Sequence, residues 1–253
     1  DWDGEVVGAG QLEHLELNPG KSIRDEIRFF HPMKSISKVG FDFKPTGDGT
    51  EVTWSMSGSL PFFLFWMTGQ IETFVGLDYE RGLSMLKEWI ETGKVSARTE
   101  VIGPQAMGPF HVLGVRDSCT MKDTGASMEK AITKARSLLE SAGLEICGEI
   151  LTVYHRLDMK KQVFDYTSGF MFDKLPSTIP EGMSQWSLPN CTAFRVDHHG
   201  SYHHLGNSWS AANQHVRNKK MKPSKIAAFE LYKNDPGDTP PEELLTEIYL
   251  PLK

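Results

Sequence analysis

Four of the chain's nine histidines fall within eight residues, the stretch "DHHGSYHH" at 197–204. Histidines at this density can hold a metal ion when three or four donors converge at about 2 Å, usually with a Cys or a carboxylate among them. The local pattern works against convergence. In "CTAFRVDHH" (191–199) side chains alternate along a strand, so His198 shares a face with Phe194 and Val196 while His199 shares one with Arg195 and Asp197. His203 and His204 lie past the Gly200 turn, at the start of a helix, and point differently again. The cluster reads as polar residues at a strand-to-helix turn, and no metal is expected among its histidines.

A single carboxylate offers more. In "IAAFELY" (226–232), Ile226, Ala228, Glu230 and Tyr232 share one face and Ala227, Phe229 and Leu231 the other, so both faces are apolar apart from one acid. Desolvating a lone carboxylate costs several kcal/mol, so Glu230 is either a structural acid paired with an Arg or Lys or the polar centre of a site. Aligning "ILTVY" (150–154) with "AFELY" (228–232) sets Thr152 against Glu230 and Tyr154 against Tyr232. The tyrosine occurs in both segments and the acid in one.

Other residues are open to two readings. Tyr202 of "GSY" and Tyr232 are candidates for ligand contact or for core packing. Trp209 lies on an apolar helical stripe, which favours the core. Trp186, in the polar segment 176–190, reads as part of a loose loop or a cover over a cleft mouth. Glu247 of "TEIY" is a second strand acid, expected in a structural ion pair. Trp2, Trp54, Phe62 and Phe65 could line a pocket in the first half or fill its core. Nucleophilic and phosphate-binding motifs are missing, with no GxSxG, P-loop or GxGxxG.

These residues must be positioned by regular elements, and the pattern divides them into two domains. Segments 10–17, 21–30, 34–45 and 49–60 alternate apolar and polar residues between turn formers, which predicts an antiparallel meander. From about Gly69 the period changes, and Ile71, Phe74, Val75, Leu83, Leu86, Trp89 and Ile90 predict one long helix to about Glu91. Periodicity then fades into Gly, Pro and Ser, placing a linker at 96–109 between domains at 1–95 and 110–253. In the second domain a strand (110–121), a helix ended by Gly143 and strands at 149–154 and 163–172 form one unit. A strand (191–199), a helix carrying Leu205, Trp209, Ala212 and Val216, and strands at 226–232 and 244–252 form another. The expected class is α+β, and a strand-helix-strand-strand unit used twice predicts a cleft between the copies.

Composition bounds the function. Of 253 residues 39% are hydrophobic and 24% charged, a globular profile, and the net charge is -6. Lys and Arg do not cluster beyond pairs such as Lys219-Lys220, so direct nucleic-acid binding is not expected. No apolar run reaches the roughly 18 residues of a membrane span, "LPFFLFWM" (60–67) being far too short. Three cysteines without CxxC spacing (Cys119, Cys147, Cys191) suggest free thiols in a reducing, cytoplasmic setting.

The second half, about 108–253, resembles a GyrI-like domain, the effector-binding module also found at the C-terminus of many multidrug-responsive transcription regulators. "GSYHHLGNSW" (200–209) and "FELYKNDPGDTPPEELLTEIYLPL" (229–252) carry the resemblance. It implies small-molecule binding in the cleft, with Glu230 attracting lipophilic, cationic ligands among the rings of Tyr154, Tyr202, Trp209 and Tyr232. It implies no metal and no cofactor. In certain stand-alone members the matching Glu activates water against cyclopropane-bearing genotoxins, which makes Glu230 a candidate catalytic general base. The first half is similar to the later part of a START-like (SRPBCC, polyketide-cyclase-like) domain, through "DWDGEVVGAG", "IRFFHPM", "GTEVTWSMSG" and "ERGLSMLKEWIE". That family's helix-grip fold wraps a curved sheet around a long C-terminal helix. Its first strand and two following helices have no counterpart here, so an incomplete helix-grip domain is expected, and some such relatives begin with a hydrophobic, membrane-anchoring segment. The leading expectation is a binding protein for lipophilic cationic or polycyclic molecules. A hydrolase of cyclopropanoid electrophiles and an effector sensor in transcription regulation are the alternatives.

Overall fold

A computed structural model describes residues 1–31, 34–59, 68–158 and 161–253. Its chain divides into two compact units, Asp1–Lys94 and Val95–Lys253. In the first unit, strands β1 (Trp2–Gly4), β2 (Gly8–Asn18), β3 (Ser22–His31), β4 (Ser35–Pro45) and β5 (Thr50–Gly58) pair antiparallel in sequence order. Helix α1 (Thr68–Thr92) follows.

The helix meets the sheet through aromatic stacking. Trp54 of β5 lies between Phe41, at 5.0 Å between ring centroids, and Tyr79 of α1, at 3.9 Å. One turn further along α1, a Cβ on Gly82 would come within 2.6 Å of the Trp54 ring, so only glycine lets the helix sit so close. Trp2 packs edge-on against Phe29 at 5.7 Å. Both tryptophans therefore serve packing within this unit, whereas Phe62 and Phe65 lie outside the described residues. Burial is thin here: Val39 is a buried core residue, while Leu12, Leu15, Leu17 and Ile36 are exposed.

The second unit is one eight-stranded antiparallel sheet with two helices. Its elements are β6 (Arg98–Met107), β7 (Phe110–Thr120), α2 (Thr124–Ser141), β8 (Ile150–Asp158), β9 (Val163–Phe172), β10 (Ser184–Leu188), β11 (Cys191–His199), α3 (Leu205–Asn218), β12 (Ala228–Tyr232) and β13 (Leu245–Pro251). The strand order β10-β7-β9-β8-β12-β13-β11-β6 is a palindrome of the duplicated unit. β7, β8 and β9 of the first copy correspond to β11, β12 and β13 of the second, and the copies join where β8 pairs with β12.

Two segments of the second unit differ from the sequence expectation. Residues 96–109 are not a linker: Arg98–Met107 is edge strand β6, paired with β11 from Cys191↔Met107 to His199↔Arg98. The misleading signals were Gly103 and Pro104. Gly103 takes a left-handed φ of 97° at a bulge where the register shifts between Arg195 and Val196, and a proline costs little on an edge strand. Likewise Ser184–Leu188, inside the supposed loop, is edge strand β10 on β7. Trp186 there packs against Phe110 at 6.1 Å and Phe229 at 5.9 Å, so it belongs to the core rather than to a cleft mouth.

Each face of the sheet has its own core. On one, Phe110 of β7 lies 5.7 Å from Phe229 of β12, although these strands would stand roughly 14 Å apart in a flat sheet. Strong curling closes this face over Val112, Leu151, Val153 and Leu231. The other face is covered by the helices. Ala131 and Ala135 let α2 approach Tyr166 and Phe170, and Ala212 and Val216 of α3 pack on Phe194 and Val196.

The turn from β11 toward α3 provides a check on this arrangement. Gly200 has φ 113°, and a Cβ there would meet the Ser96 carbonyl oxygen at 2.3 Å. Gly200→Ala should therefore cost on the order of 2 kcal/mol or more from backbone strain and collision together. Calorimetry should find the melting of the second unit lowered by several degrees; an unchanged Tm would mean that neither the backbone conformation nor the contact with Ser96 constrains this turn.

Candidate functional site

The candidate site lies where the two copies join. Across β8 and β12, Thr152 faces Glu230, Tyr154 faces Ala228, and Ile150 faces Tyr232. Strand alternation directs Thr152, Tyr154, Glu230 and Tyr232 to the helix-covered side and Leu151, Val153, Phe229 and Leu231 to the curled side. Met128 of α2 and Trp209 of α3 complete the surroundings.

Glu230 is 1% exposed and fully hydrogen-bonded. Its Oε2 accepts from the Tyr232 hydroxyl at 2.7 Å, and its Oε1 accepts from the Trp209 indole N–H. The Tyr232 hydroxyl also stands 3.2 Å from Thr152 Oγ1, which is 2.7 Å from Ser168 Oγ. Tyr154 meets Trp209 edge-to-face at 5.3 Å and Phe164 at 5.5 Å, and Tyr202 meets Tyr232 at 5.8 Å. Met128 Sδ lies 3.8 Å from the Tyr154 hydroxyl and 3.9 Å from that of Tyr232. The structure thus brings Tyr154, Tyr202, Trp209, Glu230 and Tyr232 together. It adds Met128, Phe164 and Ser168, which the sequence does not single out; only strand register could point to Ser168, opposite Thr152 on β9.

Burial drives the titration of this group. Desolvation pushes the Glu230 carboxyl above its ordinary 4.5, opposed by hydrogen bonds from Trp209, Tyr232 and Tyr154. All three partners are neutral. Burial, together with the Glu230 charge, raises the Tyr154 and Tyr232 hydroxyls well above 10, and Tyr202 is pushed up to about 12, so these phenols remain donors at neutral pH. The carboxylate is closed off from solvent among these rings.

The second strand acid is partnered very differently. Arg195 spans Asp197 at 2.6 and 2.7 Å and Glu247 at 2.7 Å, and the Tyr249 hydroxyl donates to Glu247 at 2.8 Å. Glu247 is therefore a structural acid that shares the Arg195 guanidinium with Asp197.

Of the four clustered histidines, His198 is tied into the fold by both ring nitrogens. His198 is 1% exposed, with Nε2 2.9 Å from the Ser201 carbonyl and Nδ1 2.9 Å from Ser208 Oγ. A carbonyl only accepts, so Nε2 carries the proton and Nδ1 accepts from Ser208. Thr99 of β6 lies 2.7 Å from the same Ser208 hydroxyl, tying the helix turn that carries Trp209 to the edge of the sheet. His199 stands 3.6 Å from Glu100, and His203 and His204 pack on each other at 5.1 Å. Among the described residues no group of three or more His, Cys, Asp or Glu is placed to hold a metal. No described helix is long and apolar enough to cross a membrane.

Comparison with known proteins gives a family match: residues 106–253 fit the model of the GyrI-like small molecule binding domain. Among solved structures, EcmrR in its complex with DNA is similar at 16% identity over 74% of this chain and 68% of that one, with a TM-score of 0.51. The EcmrR C-terminal domain is similar at 17% identity over 62% of this chain and 98% of that one, at 0.49. SAV2435 bound to tetraphenylphosphonium is similar at 15% over 61% and 94%, at 0.46. Identities this low speak to the fold alone. No match is found among the curated proteins.

The raised carboxyl has a consequence for stability. Below about 4.5 the folded and unfolded chains both hold the Glu230 proton; as pH rises, the unfolded chain releases it first. Glu230 therefore contributes stability at low pH that is lost as pH rises through its raised value. Glu230→Gln should remove this component, so its Tm relative to the parent should climb between pH 4 and 8. A constant difference across that range, read by thermal melts, would show that the carboxyl titrates normally.

Proposed function

This chain belongs to the GyrI-like family of small-molecule binding domains, and we propose on that footing that Glu230 anchors lipophilic cations in its second unit. One observation supports this above all: Glu230 is buried among aromatic rings, and the groups acting on its titration include no Lys or Arg. A desolvated carboxylate without a counter-ion is costly, and a cationic ligand would supply the missing charge. The surrounding rings of Tyr154, Tyr202, Trp209 and Tyr232 would offer cation-π contact and apolar area to the same ligand. Glu247, which has Arg195, has no such need.

The remaining assignments follow from the same features. No direct nucleic-acid contact is proposed for a chain of net charge -6. Free Cys119, Cys147 and Cys191 support a reducing, cytoplasmic setting. For Asp1–Lys94 we propose a START-like, helix-grip unit, supported by the five-stranded meander followed by a 25-residue helix held on Trp54.

The test is Glu230→Gln, which keeps shape and removes charge. A charged hydrogen bond is worth roughly 1.5–3 kcal/mol, so affinity for a lipophilic cation such as tetraphenylphosphonium should fall on the order of 10- to 150-fold. An uncharged aromatic of similar size should bind almost as before, with both read by calorimetry. For the parent protein, cation affinity should also weaken as pH falls through the raised carboxyl value, because protonation removes the anchor. Equal losses for charged and neutral ligands would reduce Glu230 to a structural role. A raised carboxyl is also suited to act as a general base. Turnover of a cyclopropane-bearing electrophile that disappears in Glu230→Gln, followed by mass spectrometry, would add hydrolysis to binding.

A further inference from the structure

The approximate two-fold axis of the second unit passes between Thr152 and Glu230, which face each other across β8 and β12. The flanking groups are doubled. Tyr154 and Tyr232 stand two residues away on their respective strands, and each helix adds one large side chain, Met128 from α2 and Trp209 from α3. The charge is not doubled. A second carboxylate at 152 would lie opposite the first, at the roughly 5 Å separation of directly paired Cβ atoms. Two buried carboxylates so close cannot both ionise.

At 152 the chain has instead a threonine with 0% exposure, its hydroxyl engaged by Ser168 at 2.7 Å and Tyr232 at 3.2 Å. One half of the site is thus neutral and hydrogen-bonded, while the other carries one negative charge. Building on the reading of Glu230 as a cation anchor, we propose that Thr152 sets the charge number of the ligand. The site takes a single positive charge held near the axis, with apolar groups extending to both sides, and it discriminates against a second charge.

The reason is the cost of desolvation. A second cationic centre on the Thr152 side would face Thr152, Ser168, Tyr154 and Met128, none of which bears a negative charge at neutral pH. Past Tyr202 stands Asp235, which is exposed to solvent and so a weak partner for a charge. A glutamate at 152 would reverse this. Alone, the two carboxyls would share a proton; a dication would displace that proton and neutralise both.

The experiment compares two two-ring ligands that differ by one methyl group in size, para-linked N-methyl-phenylpyridinium with one charge and methyl viologen with two. Calorimetry on the full chain should find the monocation bound at least about tenfold tighter, since an unpaired charge pays its desolvation unrelieved. Thr152→Glu should move that ratio toward the dication by about tenfold or more, whereas Thr152→Gln, of the same length without charge, should leave it within about threefold. A parent ratio near one, or equal shifts in the two variants, would overturn the proposal. If Thr152→Glu fails to fold by circular dichroism, the parent ratio decides. Glu230→Gln is measured alongside with the monocation. Loss of binding there with a parent ratio near one would sink only the charge-number proposal. Absence of monocation binding in the parent, or unchanged affinity in Glu230→Gln, would sink the cation-site reading and this proposal with it.

Discussion

The second unit depends on one strand pairing, that of β8 with β12. Their five paired positions join the two copies and set Glu230 against Thr152. Because side chains alternate along a strand, a slip of one residue would exchange the two faces. The tyrosines and the acid would leave the helices, and Val153 and Phe229 would leave the curled core. Both faces are buried, so both resist the slip, and the chemistry of the site inherits its geometry from the packing of the sheet.

The same sheet buries carboxylates in two ways. Asp197 and Glu247 share the Arg195 guanidinium, and Lys233 stands 4.0 Å from Glu247, so both acids lie beside cations. Glu230 has neutral donors, from an indole and two phenols. Those bonds satisfy its oxygens without balancing its charge. The difference between a satisfied acid and a compensated one separates the structural carboxylates from the candidate site.

The helices that close the site are held by details far from it in sequence. Thr99, on the edge strand, reaches Ser208, which in turn bonds His198, and the next residue along α3 is Trp209. The dense histidine stretch thus contributes a buried ring, His198, that accepts a hydroxyl from Ser208. In the first unit a comparable role falls to Trp54, stacked between sheet and helix, with Gly82 allowing the close approach.

Much of this was legible in the sequence. Alternation located the long strands, a 3.6 period located α1, α2 and α3, and the duplicated unit showed Glu230 to be an acid on a doubly apolar strand. Those properties are local, because burial on both faces leaves a pattern within a few residues. The two edge strands of the second unit were not legible. β6 contains Gly103 and Pro104, which read as breakers until a partner strand and a bulge make use of them, and β10 is too brief to show a period. Nor could the sequence tell whether Glu230 had a counter-ion, or that Thr152 stands beside it and Ser168 beyond. Those are relations between strands, decided by register, and register is settled only when both faces of the sheet are packed.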